Sequence, residues 1–268
     1  MSGLRRSAIS LLEKMPSKLV PPAASSLVSL GEREPCHVTE IERGLWQRSF
    51  SDGVLFAPEP HGPSPRRVIR TTLDYFCHGY RPKLGDFVVD VGAGTGTEAY
   101  AFSKFVGVSG TVVSIEANPQ VYEALKATKK YNHLGNVITV HAALVERPGF
   151  VSLRTQANRW LGGSVVDSGS DGIRIPAITL PALLDNLELS RRDIDLVKMN
   201  IEGSEVAALS GMESLLPRVR NVVVACHDFV GQRTGESVYR TFDRVHGMLT
   251  RAGFHLSTRG DSRPWIAD

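Results

Sequence analysis

A chain of 268 residues is long enough for one large domain or two small ones, and its 42% hydrophobic and 22% charged content is that of an ordinary globular protein. A net charge of +3 is too small to argue for a nucleic-acid partner by itself. No run approaches the ~18 apolar residues of a transmembrane helix, and Cys36, Cys77 and Cys226 stand in no CxxC or metal-type spacing, which suits a reducing, cytoplasmic setting better than a disulfide framework.

In chain order, Leu4, Ala8, Leu11, Leu12, Met15 and Leu19 recur at helical spacing, with Arg5, Arg6, Lys14 and Lys18 mostly on the other side. Glu13 and Lys14 break the apolar run too early for a signal peptide. Two readings of residues 4–19 stand. One is a basic amphipathic helix on a membrane surface or a partner. The other is a helix packed on its own domain or across a homodimer. "VPPAASS" reads as a linker, "SFSDGVLFAPEPHGPSP" as a hairpin and loop, and "RRVIRTTLDYF" as a helix. Residues 1–82 are therefore read as an appendage.

From Lys83 onward short apolar runs alternate with helical patterns. "DFVVDVG", "GTVVSIEA", "NVITVHAAL", "IDLVKMNI" and "NVVVACH" predict strands, each followed by a helical stretch or a turn. "FVSLRTQ" and "GIRIPAITL" predict strand additions. Such alternation implies βαβ units and a mostly parallel, seven-stranded sheet with helices on both faces over residues 83–268. Ligands of these sheets bind beyond the carboxyl ends of the strands. Polar groups at those ends are therefore candidates for a site.

"VVDVGAGTGTEAY" gives strand, glycine-rich turn and helix. Gly92, Gly94 and Gly96 let the backbone turn tightly and let a ligand approach, with Ala93 and Thr95 between them. The dinucleotide pattern G-x-G-x-x-G would need glycine at position 97, where Thr97 stands; Gly96 comes one residue early. Asp90 also lies inside the preceding strand. This form suits an adenosyl amino acid better than a pyrophosphate. Glu116 closes the next strand, 20 residues after Gly96, where a carboxylate accepts hydrogen bonds from ribose hydroxyls in the dinucleotide fold.

These residues resemble the Rossmann-like S-adenosylmethionine-dependent methyltransferases, and specifically the FkbM family, from about Lys83 to the C-terminus. "DLVKMNIEGSEVAALSGMESLL" is the most specific piece, and "VVDVGAGTG", "SIEANP", "VHAALVE" and the late Ala-Gly-Phe fit the same order. The resemblance implies S-adenosyl-L-methionine as cofactor and O-methylation of a hydroxyl on a small molecule, sugar or glycoconjugate. It implies that Asp90, Gly92, Ala93, Gly94, Thr95 and Gly96 line the methionine and ribose part, that Glu116 holds the ribose, and that Ala117, Asn118, Ala142 and Ala143 border the adenine. Lys198, Asn200 and Glu202 would face the reacting end. Asn200 and Ala225 stand where the family pattern leads one to expect acidic residues, and with two carboxylate ligands missing no metal site is expected.

An alcohol becomes a better nucleophile as its proton leaves, so a general base is expected. His227, at the end of "NVVVACH", is the candidate, with Asp228 to orient it; Glu202 is the second candidate base. Glu205 reads as a helix cap. Acceptor contacts are expected from Trp160, Ser164 and Arg233, and the polar span from Gln156 to Gly172 reads as a lid. The N-terminal appendage would cover the acceptor site. Three alternatives remain open. One is a nucleic-acid methyltransferase, although the basic clusters are scattered and a nucleic-acid partner is not expected. The others are a non-catalytic cofactor-binding scaffold and a nicotinamide-dependent reductase, against which the glycine spacing speaks.

Overall fold

The computed structural model describes residues 9–12, 14–156, 159–166 and 172–259, and the side chains of 154–166 lie outside that description. The stretch expected to be a linker is helical instead: α1 (Val20–Glu32) carries prolines in its first turn. Proline is tolerated there because the first N–H groups of a helix have no intrahelical partner. Val20, Ala24 and Val28 pack with Val38 and Trp46 of a small antiparallel sheet. That sheet has the order β1 (His37–Glu42), β2 (Leu45–Ser49), β3 (Val54–Ala57). The expected hairpin is the β2–β3 pair, with Ser49 opposite Val54. Helix α2 (Pro65–Phe76) follows, and the Ser64 hydroxyl caps it by accepting from the Arg67 N–H.

The N-terminal part is stitched to the rest by hydrogen bonds to its backbone. Asn132 accepts from the Val54 N–H and donates to the Val54 carbonyl. The Thr128 hydroxyl accepts from the Phe56 N–H, and the Tyr100 hydroxyl donates to the Asp52 carbonyl.

The main sheet is built from β4 (Phe87–Val91), α3 (Thr97–Val106), β5 (Thr111–Glu116), α4 (Pro119–Tyr131), β6 (Val137–His141), and later β11 (Leu196–Met199) and β12 (Val222–Val224). Its order is β12-β11-β4-β5-β6, all parallel. Every residue of β4 is buried, as a strand covered on both faces requires. Val68, Phe102 and Leu125 from α2, α3 and α4 pack on one face. The other face carries α5 (Leu180–Asn186), α6 (Glu205–Gly211) and α8 (Phe242–Arg251), through Leu184, Leu209 and Leu249. Full burial of each such side chain contributes about 1.5–3 kcal/mol.

The parallel sheet with helices on both faces is as expected, but it has five strands rather than seven. After β6 the chain leaves it through β7 (Ala143–Leu144). The two expected additions, β8 (Gly149–Gln156) and β10 (Ile173–Ile178), pair antiparallel with each other, and with β7 and β9 (Arg159–Val166) they form a separate four-stranded sheet. Much of the expected lid is therefore strand β9, held by β8. Among the described residues, no helix is long and apolar enough to cross a membrane.

Candidate functional site

Gly92, Gly94 and Gly96 all adopt left-handed backbone, with φ of 73°, 56° and 87°. Each also meets a different surrounding. A Cβ on Gly92 would lie 2.1 Å from the Asn200 carbonyl oxygen, because β4 and β11 end against each other there. A Cβ on Gly96 would press on Leu125 of α4 at 2.9 Å. A Cβ on Gly94 would meet nothing within 4 Å. The loop is thus closed on two sides and open at its middle, the position from which a ligand could reach the backbone.

Glu116, at the end of β5, turns its carboxylate to that open position. Oε2 accepts from the Gly94 N–H at 2.9 Å and Oε1 from the Asn118 N–H at 2.7 Å. A carboxylate offers about four acceptor positions, so about two remain. Burial raises its pKa above the usual carboxylate value, against the pull of those two N–H groups. The Asn118 side chain caps α4, its Oδ1 accepting from the Gln120 N–H at 3.0 Å. Ala142 and Ala143 are buried at the β6–β7 junction, with the Ala142 N–H donating to the Glu116 carbonyl. Ala117 is held by His141, whose Nε2 lies 3.1 Å from the Ala117 carbonyl while its ring stacks on Tyr122. The sequence reading had not singled out His141; its register opposite Glu116 in the β5–β6 pair is the signal.

Asp90 and Lys198 face each other in the β4–β11 register. Lys198 Nζ lies 2.9 Å from Asp90 Oδ1 and donates to the Gly92 carbonyl at 2.8 Å. Both side chains are almost wholly buried. Lys198, expected to face the reacting end, instead ties the glycine loop to β11 from beneath. Burial raises the Asp90 pKa, with the Lys198 ammonium opposing it, and Asp90 Oδ2 has no hydrogen-bond partner.

Beyond β11, Asn200 donates its backbone N–H to the Val91 carbonyl and lines a cavity of about 720 Å³. Glu202 is held at φ 45°, followed by Gly203 at 95°; a left-handed non-glycine residue costs about 1–2 kcal/mol, and such strain clusters at functional sites. Both Glu205 oxygens accept from the Gly203 N–H, so Glu205 does serve the helix start as expected. It does more: Oε1 also lies 3.0 Å from His227 Nδ1, and the carboxylate is fully buried. In the neutral ring, a carboxylate there assigns the proton to Nδ1 and leaves Nε2 as an acceptor. Asp228, expected to orient His227, is used elsewhere. Its Oδ2 accepts from the Thr241 and Phe242 N–H groups at the start of α8. Helix α7 (Asp228–Thr234) begins directly after His227.

The cavity runs beside the edge strand β12, with His227, Phe229, Tyr75, Phe76 and Phe242 among its walls, and its size is within the ~300–1,000 Å³ of small-molecule sites. Arg233 is exposed in the last turn of α7 and does not line it. Trp160 and Ser164 lie in β9, whose side chains are outside the described residues.

A family model described as the methyltransferase FkbM domain matches residues 90–256. Among solved structures, the methyltransferase FkbM from Methylobacillus flagellatus KT is 15% identical, covering 70% of this chain and 44% of that one, with a TM-score of 0.45. The chain thus spans less than half of that protein. Fibrillarin from Aeropyrum pernix, in complex with natively bound S-adenosyl-L-methionine, is 12% identical over 82% of this chain and 91% of that one, at a TM-score of 0.43. The O-methyltransferase from Bacillus cereus, in complex with SAH, is 12% identical over 72% of both chains, at 0.41. No curated protein matches.

Proposed function

The chain belongs to the FkbM methyltransferase family, and we propose that it methylates a hydroxyl oxygen of a small molecule, sugar or glycoconjugate, with S-adenosyl-L-methionine as cofactor. The residues at the glycine loop fit that cofactor: the space before Gly94 is open, and Glu116 keeps acceptor positions for ribose hydroxyls beside it. When bound, the cofactor supplies an electrophilic methyl group on a sulfonium.

The observation that carries the oxygen reading is the Glu205–His227 pair at the wall of the cavity. Asn200 lines the same cavity while its carbonyl abuts Gly92, so the cavity adjoins the loop. His227 Nε2 accepts the proton of the acceptor hydroxyl. Glu205 holds the ring in that tautomer and stabilises the imidazolium that forms. A positioned base contributes about 10²–10⁴-fold, and alignment of the acceptor against the loop supplies much of the remainder.

Calorimetric titration with S-adenosylhomocysteine, with NADH in parallel, tests the cofactor. Micromolar binding of the first alone is expected, and binding of NADH or of neither would sink the reading. Labelled methyl transfer then tests the acceptor, with methyl glucoside, 2-naphthol and bulk RNA as probes. Label on a hydroxyl compound supports O-methylation, whereas label confined to RNA overturns it.

A further inference from the structure

The N-terminal part carries an exposed surface that the methyl-transfer chemistry does not use. Helix α1 buries Val20, Ala24 and Val28. Its exposed side carries two large apolar side chains: Leu19, at the helix N-cap, is 55% exposed and Leu30 is 81% exposed. Eleven residues at about 100° each return to within about 20° of the same direction, so the two leucines share one face, about 16 Å apart. Ser26 lies between them on that face, and Ala23 at its margin is half-buried against the Val20–Val28 core. Leu11 and Met15, just before the helix, are exposed as well. Single exposed leucines need no explanation. Here four of the eleven large exposed apolar side chains among the described residues fall within residues 11–30.

The charge around this face is mainly positive. Lys14 and Lys18 are exposed at the N-terminal end. At the other end Arg33, Arg66 and Arg70 are exposed and line a shallow cavity of about 290 Å³ with Gly31. Glu32 and Glu34 line that cavity too, and both are engaged by hydrogen bonds. Glu32 is committed to Arg67 at 2.8 Å and to Ser64, contacts that hold its pKa below the usual value although burial alone would raise it. Glu34 is half-buried and accepts from the Ser51 hydroxyl. Arg33 also occupies the left-handed position that ends α1, with φ 58°, where glycine is the usual residue. An arginine there gives up backbone comfort and places a cation beside Leu30.

We propose that this face docks the protein onto an anionic lipid bilayer, with Leu11, Leu19 and Leu30 entering the interface and Lys14, Lys18, Arg33, Arg66 and Arg70 meeting lipid phosphates. A surface that sets exposed leucines among cations at both ends matches an interfacial helix on charged lipid. Nucleic acid would use the cations but not the leucines. A protein partner would find well-separated apolar side chains with only small residues between them.

The test is co-sedimentation of the full chain with vesicles of phosphatidylcholine alone and with about one-third phosphatidylglycerol, at low and raised salt. Binding to the anionic vesicles alone, weakened by salt, is expected. The double variant Leu19→Glu, Leu30→Glu should lose about tenfold or more of that affinity. Arg33→Gly should also lose affinity without lowering the thermal midpoint, because glycine suits the backbone at residue 33. S-adenosylhomocysteine binding should be unchanged in both variants, which separates this surface from the cofactor site. Equal binding to both vesicle types, binding to neither, or parental affinity in the double variant would overturn the proposal. So would a homodimer in solution that the double variant dissociates, or binding to poly(U) in place of vesicles.

Discussion

Replacing Glu116 by glutamine tests the cofactor site without an acceptor. The carboxylate holds the Gly94 N–H with one oxygen and the Asn118 N–H with the other, and about two acceptor positions are left for a ribose diol. A carboxamide has one acceptor oxygen, so its NH₂ must face one of these donors or the diol. The variant should therefore lose at least one hydrogen bond from a charged group, worth about 1.5–3 kcal/mol, or roughly 10–150-fold in affinity. Calorimetry with S-adenosylhomocysteine reads this directly. The accompanying loss of one loop hydrogen bond should lower the thermal midpoint by only a few degrees. Alanine is the poorer variant because it would strand both backbone donors and mix folding with binding. A dissociation constant within about threefold of the parent in a folded Glu116→Gln protein would refute the ribose assignment.

The same residue predicts a pH dependence. Its pKa is raised by burial, and only the ionised form accepts from both hydroxyls. Affinity should therefore fall as pH drops, starting above the range of an ordinary glutamate, and Glu116→Gln should remove that limb. The group's effect on stability has the opposite sign: a raised folded-state pKa gives stability present at low pH and lost as pH rises through that pKa. Glu205→Gln should lower turnover about 10²-fold or more while leaving S-adenosylhomocysteine affinity unchanged. Nitrogen NMR of the parent protein should show the His227 proton on Nδ1, and a proton on Nε2 instead would reduce Glu205 to a cap. Lys198→Met should cost about 3–5 kcal/mol in denaturant unfolding by leaving buried Asp90 unpaired, with much of it recovered by Asp90→Asn; a loss below ~1 kcal/mol would contradict the ion pair. Gly92→Ala should fail to fold, since its Cβ would strike the Asn200 carbonyl. Gly94→Ala should fold at a cost of about 1–2 kcal/mol and lose the cofactor. Equal behaviour of the two glycine variants would contradict the open middle of the loop.

Much of the parallel-sheet region was legible because its signals are local. Glycine is the residue that takes φ near 60–90° at least cost, and three glycines between β4 and α3 mark such positions without reference to neighbours. Short apolar runs alternating with helical periods likewise specify parallel strands covered on both faces. The linker reading of "VPPAASS" failed for a local reason too: proline breaks a helix interior but fits its first turn, and the sequence did not show where the helix began.

The roles of the polar residues beyond the strand ends were not legible in this way. Lys198, Glu205, His227 and Asp228 all carry chemistry in the sequence, and pattern alone made Asp228, adjacent to the histidine, its natural partner. The structure gives that place to Glu205, 22 residues earlier in the chain, because β11 and β12 run side by side and bring their ends together. It gives Lys198 to Asp90 across 108 residues by the register of β4 and β11. Local sequence thus determined the loop, the strand-helix alternation and the position of Glu116. Strand adjacency and burial decided which charged group meets which, because a buried charge takes whatever partner the neighbouring strand presents, at any distance along the chain.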